Sequence, residues 1–350
     1  MKSIHRYVAL ATVAFTSLIL AGCSIEEASS EKHEEMWATS AHADANSAAF
    51  THWNDADPPE VPVNCAKCHS TTGYHDFLGV DGSTPDAVDD AAPVGTTVEC
   101  EACHNDVSKK KKTAVMPSGA ELERLGNNAD CMECHQGRAS TVQVDAATDG
   151  MDVDTVSRDL SFVNIHNNAA GPTLFGSEAL GGYEYDGQEY EGRFQHAPGF
   201  KDCTGCHNPH TLRVNTPKCR ACHPEARSTA HLPNIRMQGI DFDGDGDDTE
   251  GIQGEIETLQ EELLQAIRFY GALAKGLDRI VYEPRSPYFL NEETGEPYET
   301  WTPKLLRAAY NYHYTVKGDG GYAHNPSYTI QLLYDSLEDL GARMSGKTRP

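Results

Sequence analysis

One pattern governs what this chain can fold into: two cysteines three residues apart with a histidine directly after the second. It occurs at Cys65/Cys68/His69, Cys100/Cys103/His104, Cys131/Cys134/His135, Cys203/Cys206/His207 and Cys219/Cys222/His223. This spacing attaches a c-type haem, the two thiols bonding the vinyl groups and the histidine taking one axial site of the iron. A single Cys-x-x-Cys would equally suit a zinc site or a redox dithiol. Histidine is 16 of 350 residues, so its presence after all five pairs has a chance probability of about 2 × 10⁻⁷. Zinc does not require histidine at that place, and a redox dithiol has no need of five copies. The sequence therefore predicts five covalently bound haem c groups.

The chain opens with Lys2 and Arg6, runs through an apolar stretch from Tyr7 to Leu20 and reaches Leu20-Ala21-Gly22-Cys23. A basic start, an apolar core too short to span a membrane and small residues at the end read as a secretory signal. The last four residues resemble a bacterial lipobox. The resemblance implies cleavage after residue 22, lipidation of Cys23 and, with Ser24 following, an outer-membrane address. Ten of the eleven cysteines lie in the haem motifs and the remaining one is Cys23, so no disulfide framework is expected. Haem attachment and export both point outside the cytoplasmic membrane.

Asp and Glu number 53 against 28 Lys and Arg, and loss of Lys2 and Arg6 with the signal takes the net charge from −25 to about −27. Nucleic acid is excluded as a partner on that charge. The field favours basic protein partners or cationic oxidants, and it also keeps an exported protein soluble. Apolar residues are 39% of the chain and the mean hydropathy is −0.54, modest values that porphyrin faces would supplement as core. The expected class is mainly α, with extensive irregular loops wrapped around five haems and at most a small β-hairpin. The expected organisation is a signal at 1–22, a flexible tether at 23–40, a pentahaem domain at 41–235 and a helical segment at 236–345. The lysine run Lys109 to Lys112 reads as a solvated loop, with an acidic docking partner as the alternative.

A haem with two strong protein ligands passes electrons, whereas one with an open site can reduce a substrate. Outside the motifs and the signal, ten histidines remain as second axial ligands: His33, His42, His52, His75, His166, His196, His210, His231, His313 and His324. His196 precedes Cys203 by seven residues and His210 follows His207 by three. Motif order, the long gap before the fourth motif, a histidine just ahead of it, one between the fourth and fifth, one before the first and His324-Asn325-Pro326 together resemble the pentahaem nitrite reductase and octahaem cytochrome superfamily. The resemblance implies that His42, His196, His210 and His324 are distal ligands. Those reductases bind their catalytic haem through Cys-x-x-Cys-Lys, whereas all five motifs here end in histidine and His166 offers a fifth distal ligand. The chain also resembles cytochromes that bacteria use for electron export, some of which polymerise.

Asp241, Asp243, Asp245, Asp247 and Glu250 surround Gly244 and Gly246 and read as the start of a calcium loop, since alternating carboxylates converge where the chain turns at glycine. The twelfth position is Ile252 rather than glutamate, so Glu250 or Glu255 has to complete the shell. Ile252, Ile256, Leu259, Leu263, Ile267 and Tyr270 recur at steps of three and four and predict an amphipathic helix. Thr302-Pro303 and Asn325-Pro326 predict two further starts, the last helix running to Leu340 and stopping at Gly341. His313 lies on the face of Leu306 and Tyr310 and reads as packed core, with a ligand role as the alternative. Tyr183 to Tyr190, with Asp186-Gly187 between alternating residues, predicts a hairpin.

The functional reading is electron transfer by a membrane-anchored pentahaem cytochrome c, in respiratory or extracellular electron transfer. Its expected partners are other cytochromes, a quinol-oxidising complex or an outer-membrane conduit, on the periplasmic or cell-surface face. The alternatives are a multihaem reductase of nitrite, hydroxylamine or a sulfur oxyanion, and a subunit of a cytochrome filament.

Overall fold

The computed structural model describes residues 30–166, 169–236, 239–274 and 276–350. The expected signal and Cys23 lie outside the described residues. The chain divides into two compact units: one holds residues up to Ser108 together with His207–Val214, the other Lys109–Cys206 together with Asn215–Pro350. Motifs three and five and the C-terminal helices share one unit. No helix among the described residues is long and apolar enough to cross a membrane.

In the first unit the expected tether is already helical from residue 30 to 37. The Trp37 indole donates to the Val98 carbonyl at 2.9 Å, which fixes this helix to the unit. The first motif lies on the helix Val63–His69, which ends where Ser70 turns extended (ψ 135°). Ser70 then caps the next helix, Thr71–Leu78, its hydroxyl accepting from the Gly73 amide at 3.2 Å. At this elbow a Cβ on Gly73 would lie 2.4 Å from the Ala66 carbonyl oxygen, so only glycine lets the two helices close. The Thr71 hydroxyl donates to Thr97 O at 2.6 Å and accepts from Glu99 N at 2.9 Å. Those bonds set the second motif helix, Cys100–Cys103, beside the first.

Apolar burial is sparse among the described residues of this unit. Its clusters are Val61, Ala66 and Ala92, and Tyr74, Leu78 and Ala102. Such small clusters are little to hold a unit of this length against chain entropy.

The second unit is built on three helices: α1 (Ile252–Phe269), α2 (Pro303–Lys317) and α3 (Pro326–Asp339). The α1 residues Ile252, Ile256, Leu259, Leu263 and Ile267 are all buried, as the spacing predicts. Thr302 caps α2, accepting from Leu305 N at 3.1 Å with Pro303 at the first position. Asn325 does the same for α3 through Tyr328 N, and Gly341 at φ +75° follows its end. The three helices meet over Trp301, Leu305, Leu306, Ile330, Leu333 and Leu337, with an antiparallel pair, Ile280–Tyr282 against Phe289–Asn291, alongside. Tyrosines on α2 and α3 reach outward to hold a loop. The Tyr310 hydroxyl donates to Gly181 O at 2.7 Å, and the Tyr328 hydroxyl donates to Glu184 Oε1 at 2.9 Å while accepting from Gly182 N.

Among the described residues the architecture is mainly α with small antiparallel pairs and no closed sheet. The hairpin expected at Tyr183 to Tyr190 does not form a ladder. Asp186-Gly187 does turn, with Gly187 at φ +82°. The flanking amides go to side chains instead: Tyr183 N to Asn311 Oδ1, Glu184 N to Thr141 Oγ1 and Tyr185 N to the Tyr190 hydroxyl. Tertiary bonds from α2 thus replace the cross-strand ones. The two-residue pairs form elsewhere, at Glu60–Val61 with Ala92–Pro93 and Ala114–Val115 with Glu121–Leu122.

Leu263 is fully buried on α1, so Leu263→Ala should cost about 2–5 kcal/mol. Thr302→Ala, which removes only the cap, should cost about 1 kcal/mol. Urea unfolding followed by far-UV circular dichroism checks both values.

Candidate cofactor sites

Each motif sits on a short helical turn, and the turn is what makes the pattern usable. The amides of His104, His135 and His223 each donate to the carbonyl of the first motif cysteine, four residues back, at 2.9 Å. One such turn gathers the two thiols and the imidazole on neighbouring positions. None of the ten motif cysteines is in a disulfide and none is fully buried. Free cysteine is ordinarily among the most buried residue types. Thiols held at or near the surface of their own turns are placed for attachment to something larger.

Exposure of the thiols differs from motif to motif. Cys100, Cys103 and Cys222 are exposed, whereas Cys65, Cys68, Cys131, Cys134, Cys203, Cys206 and Cys219 are half-buried. Cys65, Cys68 and Cys134 are partly covered, and each of these residues engages a neighbouring group of the protein. The cause is the helix that carries them. Cys68 lies on Val63–His69, whose Ala66 is buried against the Gly73 elbow. Cys134 ends Ala129–Cys134, whose Ala129, Met132 and Glu133 are buried.

The ring nitrogens are sorted in the sense the motif requires. His69 Nδ1 lies 2.8 Å from Ala49 O, and His207 Nδ1 lies 3.0 Å from Leu212 O. His223 Nδ1 approaches Glu225 Oε1 at 3.5 Å. An imidazole that donates from Nδ1 leaves Nε2 as the lone-pair nitrogen for a metal.

Two of the histidines singled out as distal ligands stand beside a motif histidine. The centroids of His104 and His210 are 6.1 Å apart with planes 1° from parallel, and those of His196 and His223 are 6.0 Å apart at 44°. Two imidazole nitrogens each ~2 Å from one metal ion, with ring centres ~1.2 Å behind them, put the centroids about 6.3 Å apart. Burial first, and then the facing histidines, holds both His196 and His210 below the ordinary histidine pKa. That favours the neutral ring a metal requires.

The sequence context of His33 carries no ligand signal, yet its ring stacks on His210 with centroids 4.5 Å apart. Its helix brings it there from a stretch that composition reads as tether. His42 lies in the short turn Ala41–Ala43, its carbonyl accepting from Val98 N. His166 adopts φ +71°, and its amide donates to Asn164 Oδ1. His324 closes the turn Gly321–His324, directly before the Asn325 cap. His313 is fully buried, with Nδ1 3.2 Å from the Tyr282 hydroxyl and Nε2 3.0 Å from Asn164 Oδ1. Both of its nitrogens are engaged, so it belongs to the core.

Within the second unit cysteines of three motifs converge. The Cys131 and Cys203 thiols hydrogen-bond to each other, which raises the Cys131 pKa and lowers that of Cys203. The Cys203 amide is in turn capped by Asn128 Oδ1 at 3.1 Å. Burial and the nearby Cys219 thiol push the Cys206 thiol up. Beside Thr204 a cavity of about 520 Å³ is lined by Asn128 and Asp202 and by Arg124, Arg193 and Lys201, the last three being cations suited to carboxylates such as haem propionates. Lys111, in the lysine run, pairs with buried Glu133 at 3.0 Å.

These features together fit covalent haem: accessible or half-open paired thiols, Nδ1 engaged in His69, His207 and His223, paired imidazoles about 6 Å apart and a first unit short of apolar core. In the acidic loop, oxygens of Asp241, Asp243 and Glu255 converge, as do those of Asp243, Asp245 and Glu250. Asp247 joins neither group, because its Oδ1 accepts from Thr249 N at 2.8 Å and Thr249 Oγ1 at 2.6 Å.

Burial, with the Lys317 charge adding to it, depresses the His313 pKa from 6.5 to about 3. A folded-state pKa below the unfolded value means that stability is complete above about pH 6.5 and falls as pH drops toward 3, by up to about 1.4 kcal/mol per pH unit. Urea midpoints at pH 7 and pH 5 should therefore separate more for the native chain than for His313→Gln.

No family model matches the chain, and no solved structure does. The chain is similar to two C-type polyheme cytochromes of Geobacter sulfurreducens. It is 25% identical to OmcB over 369 aligned positions, which cover 84% of this chain and 46% of the relative. It is 24% identical to OmcC, covering 84% and 45%. The chain thus spans about half the length of the curated relatives it matches. The similarity supports a multihaem c-type cytochrome.

Proposed function

We propose that this chain is a pentahaem electron-transfer cytochrome that relays electrons between redox proteins outside the cytoplasmic membrane, tethered to the outer membrane through a lipidated Cys23. The observation that carries the reading is the pairing of His104 with His210 and of His223 with His196, at centroid separations of 6.1 and 6.0 Å. A bound haem would supply a one-electron couple at its iron.

What the chain does is hold the ligands still. The carbonyls of Ala49 and Leu212 fix the His69 and His207 rings by their Nδ1 protons, so each ring keeps its orientation whatever the charge on the metal. The cysteine pairs, Cys65 with Cys68 and Cys131 with Cys134 among them, fix position within each turn. Contact between the Cys131 and Cys203 thiols, and proximity of Cys206 to Cys219, support close approach of the third, fourth and fifth cofactors. The acidic surface favours basic partners. Similarity to polyheme cytochromes supports the same class of function, and their greater length leaves room for further cofactor sites in those proteins.

Pyridine haemochrome on the purified protein should give five haems per chain, and mass spectrometry should give the matching covalent adduct. His210→Ala and His196→Ala should each convert one haem of five to a high-spin form, in the second and fifth motifs respectively, without loss of covalent haem. Fewer than five haems, or an unchanged spin state in both variants, would contradict the proposal. Cys23→Ser should move the protein from the membrane fraction to the soluble one.

A further inference from the structure

The loop from Asp241 to Glu250 does something the haem motifs do not ask of it. It turns on Gly244 (φ +79°) and Gly246 (φ +97°), and the Asp243 carboxylate is turned inward. Asp243 is 1% exposed, and its Oδ2 has no hydrogen-bond partner. Glu250 Oε1, also buried, has none either. Oxygens of Asp243, Asp245 and Glu250 lie within 4.8 Å of one another. Burying an unpartnered carboxylate oxygen is costly, and bringing three carboxylates together adds repulsion. A cation at their meeting point removes both penalties.

The surroundings hold the loop in this shape without filling its centre. Glu255, on the first turn of α1, accepts from Phe242 N at 2.8 Å and Asp243 N at 3.1 Å through Oε2, and from Arg236 Nη2 at 2.9 Å through Oε1. Arg236 also donates to the carbonyls of Ile240 and Glu250. Asp241 is tied to the Gly244 and Gly246 amides. Glu255 and Asp241 therefore position the loop, while Asp243 Oδ2 and Glu250 Oε1 are buried without a hydrogen-bond partner.

We propose that the loop binds one calcium ion through Asp243, Asp245 and Glu250, and that the ion fixes the C-terminal tail to the start of α1. The donors are hard oxygens with no nitrogen or sulfur among them, which selects against zinc and copper. Convergent carboxylates on a glycine turn suit the larger, more loosely coordinated calcium over magnesium, which keeps its waters and demands near-octahedral geometry.

The tail lies directly on this loop. A Cβ on Gly244 would sit 2.7 Å from the Gly346 carbonyl carbon, and Thr348 N donates to Phe242 O at 3.0 Å. Lys347 bridges the Asp243 carbonyl and Glu262 of α1. Whatever orders Asp243 therefore orders residues 346–348, and this does not depend on the redox role of the haems.

The test is calcium binding to the haem-loaded full chain after chelation, by equilibrium dialysis with radioactive calcium, beside hydrogen exchange of residues 342–350. One saturable site per chain is expected. Asp243→Asn and Glu250→Gln should each weaken it by about tenfold or more, while Asp247→Asn should leave it within about twofold, a range typical of ligand against non-ligand changes. Chelation should speed exchange in the tail, and calcium should restore the slow rate. Haem absorbance of each variant reports that the chain is folded. Absence of saturable binding, equal loss in Asp247→Asn and Glu250→Gln, or displacement of calcium by equimolar magnesium would each overturn the proposal.

Discussion

Two imidazoles held about six ångströms apart, each beside a pair of thiols or a rigid loop, set a requirement that the rest of the structure serves. The His104–His210 and His196–His223 separations match what a shared metal needs, and neither pair comes from neighbouring turns of one helix. His210 reaches its position because Asn208 Oδ1 accepts from the His210 and Thr211 amides and closes a tight turn after the fourth motif. In the first unit the Gly73 elbow and the Thr71 bonds do comparable work for the first two motifs. These are local devices that fix angles between short pieces. They do not make a core, and the unit they organise has only small apolar clusters. Macrocycle faces would be the missing apolar surface, so that cofactor attachment and folding become one event.

The helices of the second unit answer to a different rule. Here α1, α2 and α3 bury a continuous core around Trp301, Leu306 and Leu333, and they need no cofactor to account for their packing. From that base, tyrosines on α2 and α3 hold the loop near Gly181 and Glu184, which keeps the segment between the third and fourth motifs in place without a sheet. The arrangement divides labour between a rigid helical base and irregular chain that carries chemistry.

What is legible in the sequence follows from the range of each interaction. The three long helices are readable because apolar spacing, Thr302-Pro303 and Asn325-Pro326 are local signals that their own neighbours satisfy. The motif turns are readable for the same reason, since thiol and imidazole positions depend on four consecutive peptide units. How open each thiol is depends on what packs on the turn, so the partial covering of Cys68 and Cys134 beside exposed Cys100 and Cys222 is not written in the motif. Histidine pairing is not local either, because it depends on where separate loops meet: context points to His196 and His210 but not to their neighbours, and leaves His33 as one of ten available histidines with nothing to place it beside His210. The hairpin reading at Tyr183 to Tyr190 fails because Asn311 and Thr141, distant in sequence, take the amides a second strand would have used. In the acidic loop, spacing points to five carboxylates, but only the fold shows that Asp247 is turned to Thr249 and that Glu255 braces the turn.

If each iron is held by two histidines and serves conduction, the coordination of all five can be read at once by low-temperature EPR with near-infrared magnetic circular dichroism on the oxidised native protein. Five low-spin haems with the charge-transfer signature of paired histidine ligands are expected, with no change when nitrite or hydroxylamine is added. A high-spin signal from about one haem in five that shifts on such addition would contradict that coordination and make the protein a reductase.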